Sequence, residues 1–256
     1  MTDPAELFVV PLARPHASRR LVCLPHAGSG ASYYRRWGRL LDDSIELWVV
    51  QYPGRENRFD EPMITSMDVL AAEVADGVAH SEMPGRSTAL FGHSMGAAAA
   101  YEAARILEGR GADLAHVFVS GCPAPGTAPA ESARLMSDAE IIAEGERHGG
   151  VAKEVFDDPD LRALLLPVLR NDYFLVDSYR SPDRPLLRAD VSALVADRDS
   201  WVSVDSVRGW RKHTRGTFDL TVLEGDHFFL RPREDEVIEV LHRGLGAAVP
   251  SSPRRH

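Results

Sequence analysis

Short apolar runs alternate with longer amphipathic segments along most of the chain, and this alternation limits the possible folds more than any other feature. Some short runs, such as Leu47–Val50, are apolar without interruption, which is typical of strands buried on both faces of a parallel sheet. The longer segments have apolar residues at helical spacing, as at Leu70, Val74 and Val78, where Ser66 is a candidate N-cap. The pattern predicts an α/β fold, in which helices cover both faces of a mostly parallel central sheet of about seven or more strands.

The individual elements follow from the same periodicities. Strands are predicted at Glu6–Leu12, Arg20–Leu24, Ile45–Gln51, Ser87–Phe91, Ala115–Ser120, Asp190–Val195 and Phe218–Leu223. Helices are predicted at Tyr33–Leu41, Met67–Ala79, Met95–Gly109, Val204–His213 and Glu234–Gly244.

One stretch, at about residues 123–170, interrupts the alternation. It contains no strand-like run, only Pro, Gly and Ala punctuation followed by helical patterns at Asp138–Glu146 and Leu161–Leu169. We therefore expect a single α/β domain over residues 1–249 with a helical insertion at about 123–170. Residues 250–256, which are Pro, Ser, Arg and His, predict a disordered tail.

Composition and charge exclude several classes of function. The chain has 29 Lys and Arg against 38 Asp and Glu, so its net charge is −9, and its pI is about 5.6. Such a chain lacks the positive field that holds phosphate backbones, which argues against a nucleic-acid partner. No segment approaches the run of about 18 apolar residues that a membrane span needs, and the first residues, Met1–Glu6, do not resemble a secretory signal. A cytoplasmic protein without a membrane partner is expected.

The sequence also offers little for a metal or a cofactor. Its two cysteines, Cys23 and Cys122, lie in or beside apolar runs and are interpreted as buried structural thiols. Gly28-Ser29-Gly30 begins a dinucleotide-loop pattern, but Tyr33 stands where the third glycine is required. We expect no metal and no cofactor.

The segment Gly92-His93-Ser94-Met95-Gly96 lies between an apolar strand and an Ala-rich helix, which is the context of a nucleophile elbow. A turn this tight leaves no room for side chains at Gly92 and Gly96. Ser94 would then be the nucleophile at the tip, and the amide of Met95 would face a developing oxyanion. The alternative is a Gly/Ser turn that merely starts a helix.

A serine needs a base, and in this architecture the order along the chain is Ser, acid, His. Ten histidines are present. Those beyond the possible acids are His213, His227, His242 and His256. His227 directly follows the last predicted strand, as required of the catalytic histidine, whereas His213 and His242 fall inside predicted helices.

Two carboxylates follow the sixth predicted strand, and the choice between them rests on geometry. Asp199 lies farther beyond the strand end, where a loop can turn its carboxylate toward the imidazole of His227. Asp197 can instead pair with a nearby Arg or cap a turn. We predict that Asp199 accepts a hydrogen bond from His227 Nδ1 and holds the ring in the productive tautomer.

A second oxyanion donor is expected in the loop after an early strand, here Pro25-His26-Ala27-Gly28. Its small residues let backbone approach a substrate closely, and the Ala27 amide is the candidate donor. His26 could be a second base, but the simpler interpretation is a loop histidine that stabilises this turn or lines the mouth of the site.

Five segments together resemble the α/β-hydrolase thioesterases, and within them the discrete type II thioesterases of polyketide and nonribosomal peptide synthesis. They are Leu24–Gly30, Gln51–Glu56, Gly92–Gly96, Leu166–Tyr173 and, with Asp199, Gly225–Phe229. Gly-x-Ser-x-Gly alone indicates only a serine hydrolase; Pro-His-Ala-Gly and Tyr-Pro-Gly-Arg make the resemblance specific. The chain departs from the family in having Ser29 and Ala196 where glycines are common, and Ser200 where a proline is common.

The resemblance implies a function and a partner. In that family the insertion is a mobile lid over the acyl pocket, and the enzyme removes unwanted acyl groups from the phosphopantetheine arm of an acyl or peptidyl carrier protein. It acts without a cofactor of its own, and we expect a monomer. Carrier proteins are typically acidic, so a chain at −9 would need local steering. Arg35, Arg36 and Arg39 could supply it or could simply form a solvated helix face.

Other functions remain open at this stage. The same triad would serve a carboxylesterase or an acyltransferase acting on oxygen esters, and a noncatalytic binding module could keep the fold. A release domain excised from a synthase is disfavoured because the chain has Asp177-Ser178-Tyr179 in place of the Asp-Ser-Leu carrier attachment site.

Overall fold

The computed structural model describes residues 4–81, 85–126, 137–147, 153–181 and 185–247. Its seven strands are β1 (Phe8–Val9), β2 (Arg19–Leu24), β3 (Ile45–Val50), β4 (Ser87–His93), β5 (Leu114–Ser120), β6 (Asp190–Ala196) and β7 (Phe218–Leu223). They form one sheet in the order β1-β3-β2-β4-β5-β6-β7, in which only β1 runs antiparallel to its neighbour. The predicted tail, 250–256, lies outside the described residues.

Helices lie before, between and after these strands. They are α1 (Pro4–Leu7), α2 (Trp37–Leu40), α3 (Met67–His80), α4 (Met95–Gly109), α5 (Asp138–Arg147), α6 (Lys153–Asp157), α7 (Pro159–Ser178), α8 (Val204–Arg208) and α9 (Glu234–Leu245). Within the described ranges, no helix combines the length and the apolarity that crossing a bilayer requires. The mostly parallel, helix-covered sheet predicted from the alternation is confirmed.

Packing explains why the alternation was informative. Successive residues of β2 point to opposite faces of the sheet. Val22 and Leu24 join a core with α3 and α4, whereas Leu21 and Cys23 join a second core with α9. Both faces are therefore sealed by helices, which accounts for the unbroken apolar strand sequences.

Three local predictions were partly wrong. The predicted strand Glu6–Leu12 shrinks to β1 because Pro4–Leu7 is a helical turn. The predicted helix Tyr33–Leu41 is a 3₁₀ turn followed by the single turn α2. Ser66 occupies the N-cap position of α3, but its side chain makes no capping hydrogen bond. Short elements such as these depend on tertiary contacts more than on propensity.

The helical insertion lies between β5 and β6 and reaches farther than predicted. Its last helix, α7, runs from Pro159 to Ser178 with Pro167 in its interior, whereas the predicted helical pattern covered Leu161–Leu169. Asp158 caps α7 by accepting a hydrogen bond of 2.8 Å from Asp160 N. The described helices of the insertion, α5, α6 and α7, are called the insertion helices below. Part of the predicted insertion, 127–136 and 148–152, lies outside the described residues.

Candidate active site

Ser94 lies in the turn between β4 and α4, in a backbone conformation that non-glycine residues rarely adopt, with φ 53° and ψ −119°. A Cβ at Gly92 would clash with the carbonyl of Gly96, and a Cβ at Gly96 would clash with the carbonyl of Leu24. The two glycines are therefore required by close backbone contacts, as predicted. The turn stores strain and presents Ser94 at the carboxyl end of a central strand.

Asp199 and His227 form a buried pair at the same end of the sheet. His227 Nδ1 lies 2.7 Å from Asp199 Oδ2, and their side chains are 1% and 0% exposed. The other carboxylate oxygen, Oδ1, accepts hydrogen bonds of 2.9 Å from Trp201 N and 3.0 Å from Val202 N. Donors thus hold the carboxylate on both sides, and its orientation fixes that of the imidazole.

The second ring nitrogen of His227, Nε2, is not used in the contact with Asp199. Nε2 is buried and has no hydrogen-bond partner among the described residues. The ring lies 5.0 Å from that of His93, which directly precedes Ser94, and 4.7 Å from that of Trp201. A hydrogen bond from Ser94 to Nε2 is absent in this part of the structure and stays a prediction, since such bonds often tighten only when substrate is bound.

The competing candidates are engaged in other interactions. Asp197 Oδ1 accepts a hydrogen bond of 2.9 Å from Gly225 N, and its Oδ2 lies 3.7 Å from Arg198 Nη1, so it stabilises the loop as the alternative interpretation held. His242 Nε2 accepts a hydrogen bond of 3.0 Å from Asp42 N. His213 lies 3.4 Å from the hydroxyl of Tyr101. Of these candidate pairings, the structure brings together Asp199 and His227.

The two predicted oxyanion donors lie on segments that meet at the elbow. Met95 is the first residue of α4, where helix amides have no intrahelical acceptor. Ala27 belongs to the loop after β2, whose Leu24 and Pro25 carbonyls lie against Gly96. The structure therefore places the Ala27 loop against the start of α4. The roles of both amides as oxyanion donors remain predictions.

Two further histidines are buried beside His227 and stay neutral. Burial, and to a smaller degree the charges of His227 and nearby arginines, lowers the pKa of His26 to about 3. Burial and the charge of His227 also hold the pKa of His93 well below its usual value. His93 Nδ1 shares a hydrogen bond of 2.9 Å with Ser120 Oγ at the end of β5. The site floor is thus apolar and largely uncharged, and His26 lines it as a loop residue.

Arg55 and Asp172 are functional candidates to which the sequence assigned no role. They form a buried, two-pronged ion pair, with Nη1–Oδ2 at 2.6 Å and Nη2–Oδ1 at 2.8 Å. Both residues lie in segments that carry the family resemblance, which was the available signal. Trp201, which packs on His227, was likewise not assigned a role; its Nε1 donates a hydrogen bond of 2.8 Å to Glu144 Oε1 on α5.

Chemically, the arrangement offers a serine, an oriented imidazole and a helix N-terminus. Within the described ranges, no group of three or more His, Cys, Asp or Glu side chains is placed to hold a metal ion. Cys23 and Cys122 are free, and burial raises the pKa of Cys122 to about 12, which makes it a poor nucleophile. The side chains at this site are suited to acyl transfer through Ser94.

Comparison with known proteins agrees with this chemistry. The family model of the thioesterase domain matches residues 19–245. Thioesterase PikA5 of Streptomyces venezuelae is 40% identical over 224 residues, covering 87% of this chain and 79% of that protein.

Solved structures give the same result. The type II thioesterase BorB from the borrelidin biosynthetic cluster has a TM-score of 0.86 at 35% identity, covering 96% of this chain and 100% of BorB. RedJ, a thioesterase from the prodiginine biosynthetic pathway in Streptomyces coelicolor, has a TM-score of 0.85 at 35% identity, covering 95% of this chain and 92% of RedJ. Because sequence and structure agree along nearly the whole chain, this protein belongs to the thioesterase family, whose members are serine hydrolases with the α/β-hydrolase fold.

Proposed function

We propose that this enzyme hydrolyses acyl thioesters carried on the phosphopantetheine arm of acyl or peptidyl carrier proteins, and so removes aberrant acyl groups from a polyketide or nonribosomal peptide synthase. The observation that carries the proposal is the buried Asp199–His227 pair beside the Ser94 elbow. The solved structure of YbtT, which is 30% identical to this chain, supports the choice of substrate, since YbtT is a type II thioesterase from the yersiniabactin NRPS/PKS biosynthetic pathway.

The proposed reaction has two steps. His227 Nε2 takes the proton of Ser94 as Oγ attacks the thioester carbonyl, and the amides of Met95 and Ala27 stabilise the oxyanion. The carbon–sulfur bond breaks, and the leaving pantetheine thiolate takes the proton that His227 Nε2 received from Ser94, which returns the imidazole to its neutral form. Water, deprotonated by the same imidazole, then attacks the acyl-serine ester, and the carboxylic acid is released while Ser94 regains its proton.

A thiol leaving group needs little help from a general acid, so a site with one imidazole is sufficient. A thiol has a pKa of about 8.5, so thiolate departs with little protonation. Asp199 needs only to orient His227 and stabilise the imidazolium that forms. In the proposal, no residue beyond the triad and the two amides takes part in a bond-breaking step, and no cofactor enters it.

Local positive charge supports an acidic carrier protein as the partner. Arg35 and Arg39 are exposed beside the loop that follows β2, whereas Arg36 forms an ion pair of 3.1 Å with Glu234. The guanidinium of Arg231 lies 4.4 Å from the ring centre of Tyr33, which in turn contacts His26. Arg231 is thus linked through Tyr33 to His26, and we propose that it guides docking together with the exposed Arg35 and Arg39, despite the net charge of −9. The insertion helices would act as the lid, within a single domain over residues 1–249, and the enzyme would act as a cytoplasmic monomer.

The test is acyl release from loaded carrier proteins. Carrier proteins bearing short and long acyl groups are incubated with the wild type and with Ser94→Ala, and the phosphopantetheine species are followed by mass spectrometry. The wild type should regenerate free thiol and Ser94→Ala should not. Matched acyl-pantetheine thioesters and oxygen esters are compared in parallel. A strong preference for the oxygen ester would replace the proposal by a carboxylesterase, and equal turnover by Ser94→Ala would indicate a noncatalytic module.

A further inference from the structure

The buried ion pair between Arg55 and Asp172 joins two parts of the chain that are far apart in sequence. Asp172 lies on α7 and is 0% exposed, and the side chain of Arg55, in the segment after β3, is 9% exposed. The paired N–H donors of the guanidinium match the two carboxylate oxygens, which is the strongest geometry for such a pair. Burial alone would lower the pKa of Arg55, but the charge and hydrogen bonds of Asp172 outweigh it and raise the pKa.

Asp172 also holds the loop that contains Ala27. Its Oδ2 accepts a hydrogen bond of 2.8 Å from Gly28 N, the amide next to that of Ala27. Arg55 Nη1 donates a hydrogen bond of 3.1 Å to Ser29 O on the same loop. The ion pair thus holds both the N–H of Gly28 and the carbonyl of Ser29. The direction of the neighbouring Ala27 amide depends on both contacts.

The two ends of the loop are held by residues outside α7. Tyr52 donates a hydrogen bond of 3.0 Å to Pro25 O, and Gln51 Oε1 accepts one of 3.0 Å from Ala31 N. These bonds fix the two ends of the segment. The middle, at Gly28 and Ser29, is held by Asp172 and Arg55.

Helix α7 lies directly on the middle of the loop. Gly28 has φ +75°, and a Cβ there would clash with the side chain of Leu169. The cavity between α7, Met95 and the segment after β3 measures about 10 Å³, which is room for no more than one water molecule. A shift of α7 that widened this space would withdraw Asp172 from Gly28.

We propose that Asp172 is a positioning residue of the hydrolytic reaction: through Gly28 and Arg55 it orients the Ala27 amide, so that the oxyanion-binding site is complete only while α7 is seated. The inference rests on the proposed function, because it assigns Ala27 as an oxyanion donor. The inference adds that the carboxylate of Asp172 both holds α7 in place and supports stabilisation of the transition state. A complex with α7 displaced would bind acyl groups but hydrolyse them slowly.

The test is Asp172→Asn, which keeps the shape but removes the charge and one acceptor. An interaction made only in the transition state lowers kcat and kcat/KM equally. We expect both to fall by about 10- to 100-fold, less than the full loss of an oxyanion donor, with KM within about twofold. Inhibition by an alkyl trifluoromethyl ketone, whose adduct with Ser94 carries an oxyanion, should weaken by the same factor. Binding of the carboxylic acid product should not change.

The matched control is a partly buried ion pair between Arg58 and α3, whose carboxylate on Glu73 is 19% exposed. Arg58 Nη2 lies 3.0 Å from Glu73 Oε1 on α3, and the Arg58 side chain is 2% exposed. Glu73→Gln should lower the melting temperature to a similar degree and leave kcat and ketone inhibition unchanged. If Asp172→Asn does not fold, Arg55→Lys keeps the charge and loses the two-pronged geometry, and it should show the same kcat loss.

Several results would overturn the inference. An unchanged kcat in both variants, a rise of KM alone, or an equal kcat loss in Glu73→Gln would mean that the pair only holds the fold together. Failure of the proposed function looks different: the wild type itself would prefer oxygen esters. In that case the Asp172 variants are measured on the oxygen esters, and the expected loss in kcat is the same.

Discussion

The sheet with its elbow and the insertion helices are held in place by different interactions. In the sheet, Val22, Phe91 and Val119 are at most 1% exposed and belong to two large apolar cores. The insertion helices have a small apolar cluster of their own, formed by Ile141, Phe156, Leu166 and Leu169, and α7 leaves Leu161 and Leu164 each 42% exposed. Apolar burial stabilises the first region far more than the second.

Two polar contacts between these regions end on the loops of the candidate site. Asp172 of α7 contacts Gly28 in the Ala27 loop, and Glu144 of α5 contacts Trp201 in the Asp199 loop. Hydrogen bonds and ion pairs can be exchanged for water at smaller net cost than a core can be opened. The comparison teaches that the candidate site is built on the rigid region, whereas the insertion helices beside it are held by contacts that are more easily exchanged.

The largest expected effect comes from removing the nucleophile of the rigid region. Ser94→Ala should lower kcat by about 10⁶-fold, because the remaining donors cannot replace an acyl-enzyme step. The measurement is thioester hydrolysis at saturating acyl-pantetheine.

Ser94→Gly is the control for the elbow. It should be equally inactive but more stable by about 1 kcal/mol, because glycine relieves the strain at φ 53°. If the Ser94→Ala variant retained a tenth of the activity, Ser94 would not be the nucleophile.

The next effect separates the two acids that follow β6. Asp199→Asn should lower kcat by about 10⁴-fold, because an amide can favour the wrong tautomer of His227. Asp197→Asn is the matched control, and it should change kcat by less than about threefold, since Asp197 contacts Gly225 and Arg198 instead. The measurement is steady-state kcat of both variants. A larger loss of kcat in Asp197→Asn than in Asp199→Asn would mean that Asp197 is the catalytic acid.

Acid should destabilise the rigid region through its buried histidines. Unfolded histidine has a pKa of about 6.5, whereas burial and neighbouring charges keep the pKa of folded His26 at about 3. As pH falls from 6.5 towards 3, the unfolded chain binds a proton that the folded chain does not, so His26 destabilises the fold by about 1.4 kcal/mol per pH unit.

The measurement is the free energy of unfolding in urea between pH 7 and pH 4. His26→Gln should flatten the pH dependence by the amount given above, while His93 and His116, whose pKa values burial also lowers, keep their own contributions. A slope identical to that of the wild type would show that His26 is protonated in the folded state.

The smallest effect concerns the insertion helices. Glu144→Ala removes the acceptor of the hydrogen bond from Trp201, worth about 1 kcal/mol. Amides of α5 should then exchange with deuterium about fivefold faster, whereas those of α4 should be unchanged. Exchange followed by mass spectrometry tests this. Equal acceleration in both helices would mean that the two regions unfold as one unit.

The amino-acid sequence was sufficient for the sheet and for the elbow, because both depend on local rules. Periodicity located all seven strands, and Gly-x-Ser-x-Gly located the tight turn at Ser94, where the structure has φ 53°. Short elements were predicted less well: β1 and the turns around Tyr33 depend on what packs against them. The end of α7 was also missed, since the predicted helix stopped at Leu169 and α7 continues to Ser178.

Chain order and composition determined which residue types are available at the site: a serine after β4, carboxylates after β6, and a histidine after β7. The sequence already favoured Asp199 over Asp197, and the structure pairs Asp199 with His227. The tertiary structure alone decided the other partners: it joined Asp172 to Gly28 across 144 residues and to Arg55 across 117. The reason is physical: periodicity reports which face of an element is buried, whereas a hydrogen bond requires atoms to meet within about 3 Å, and that meeting is set by the packing of the whole chain.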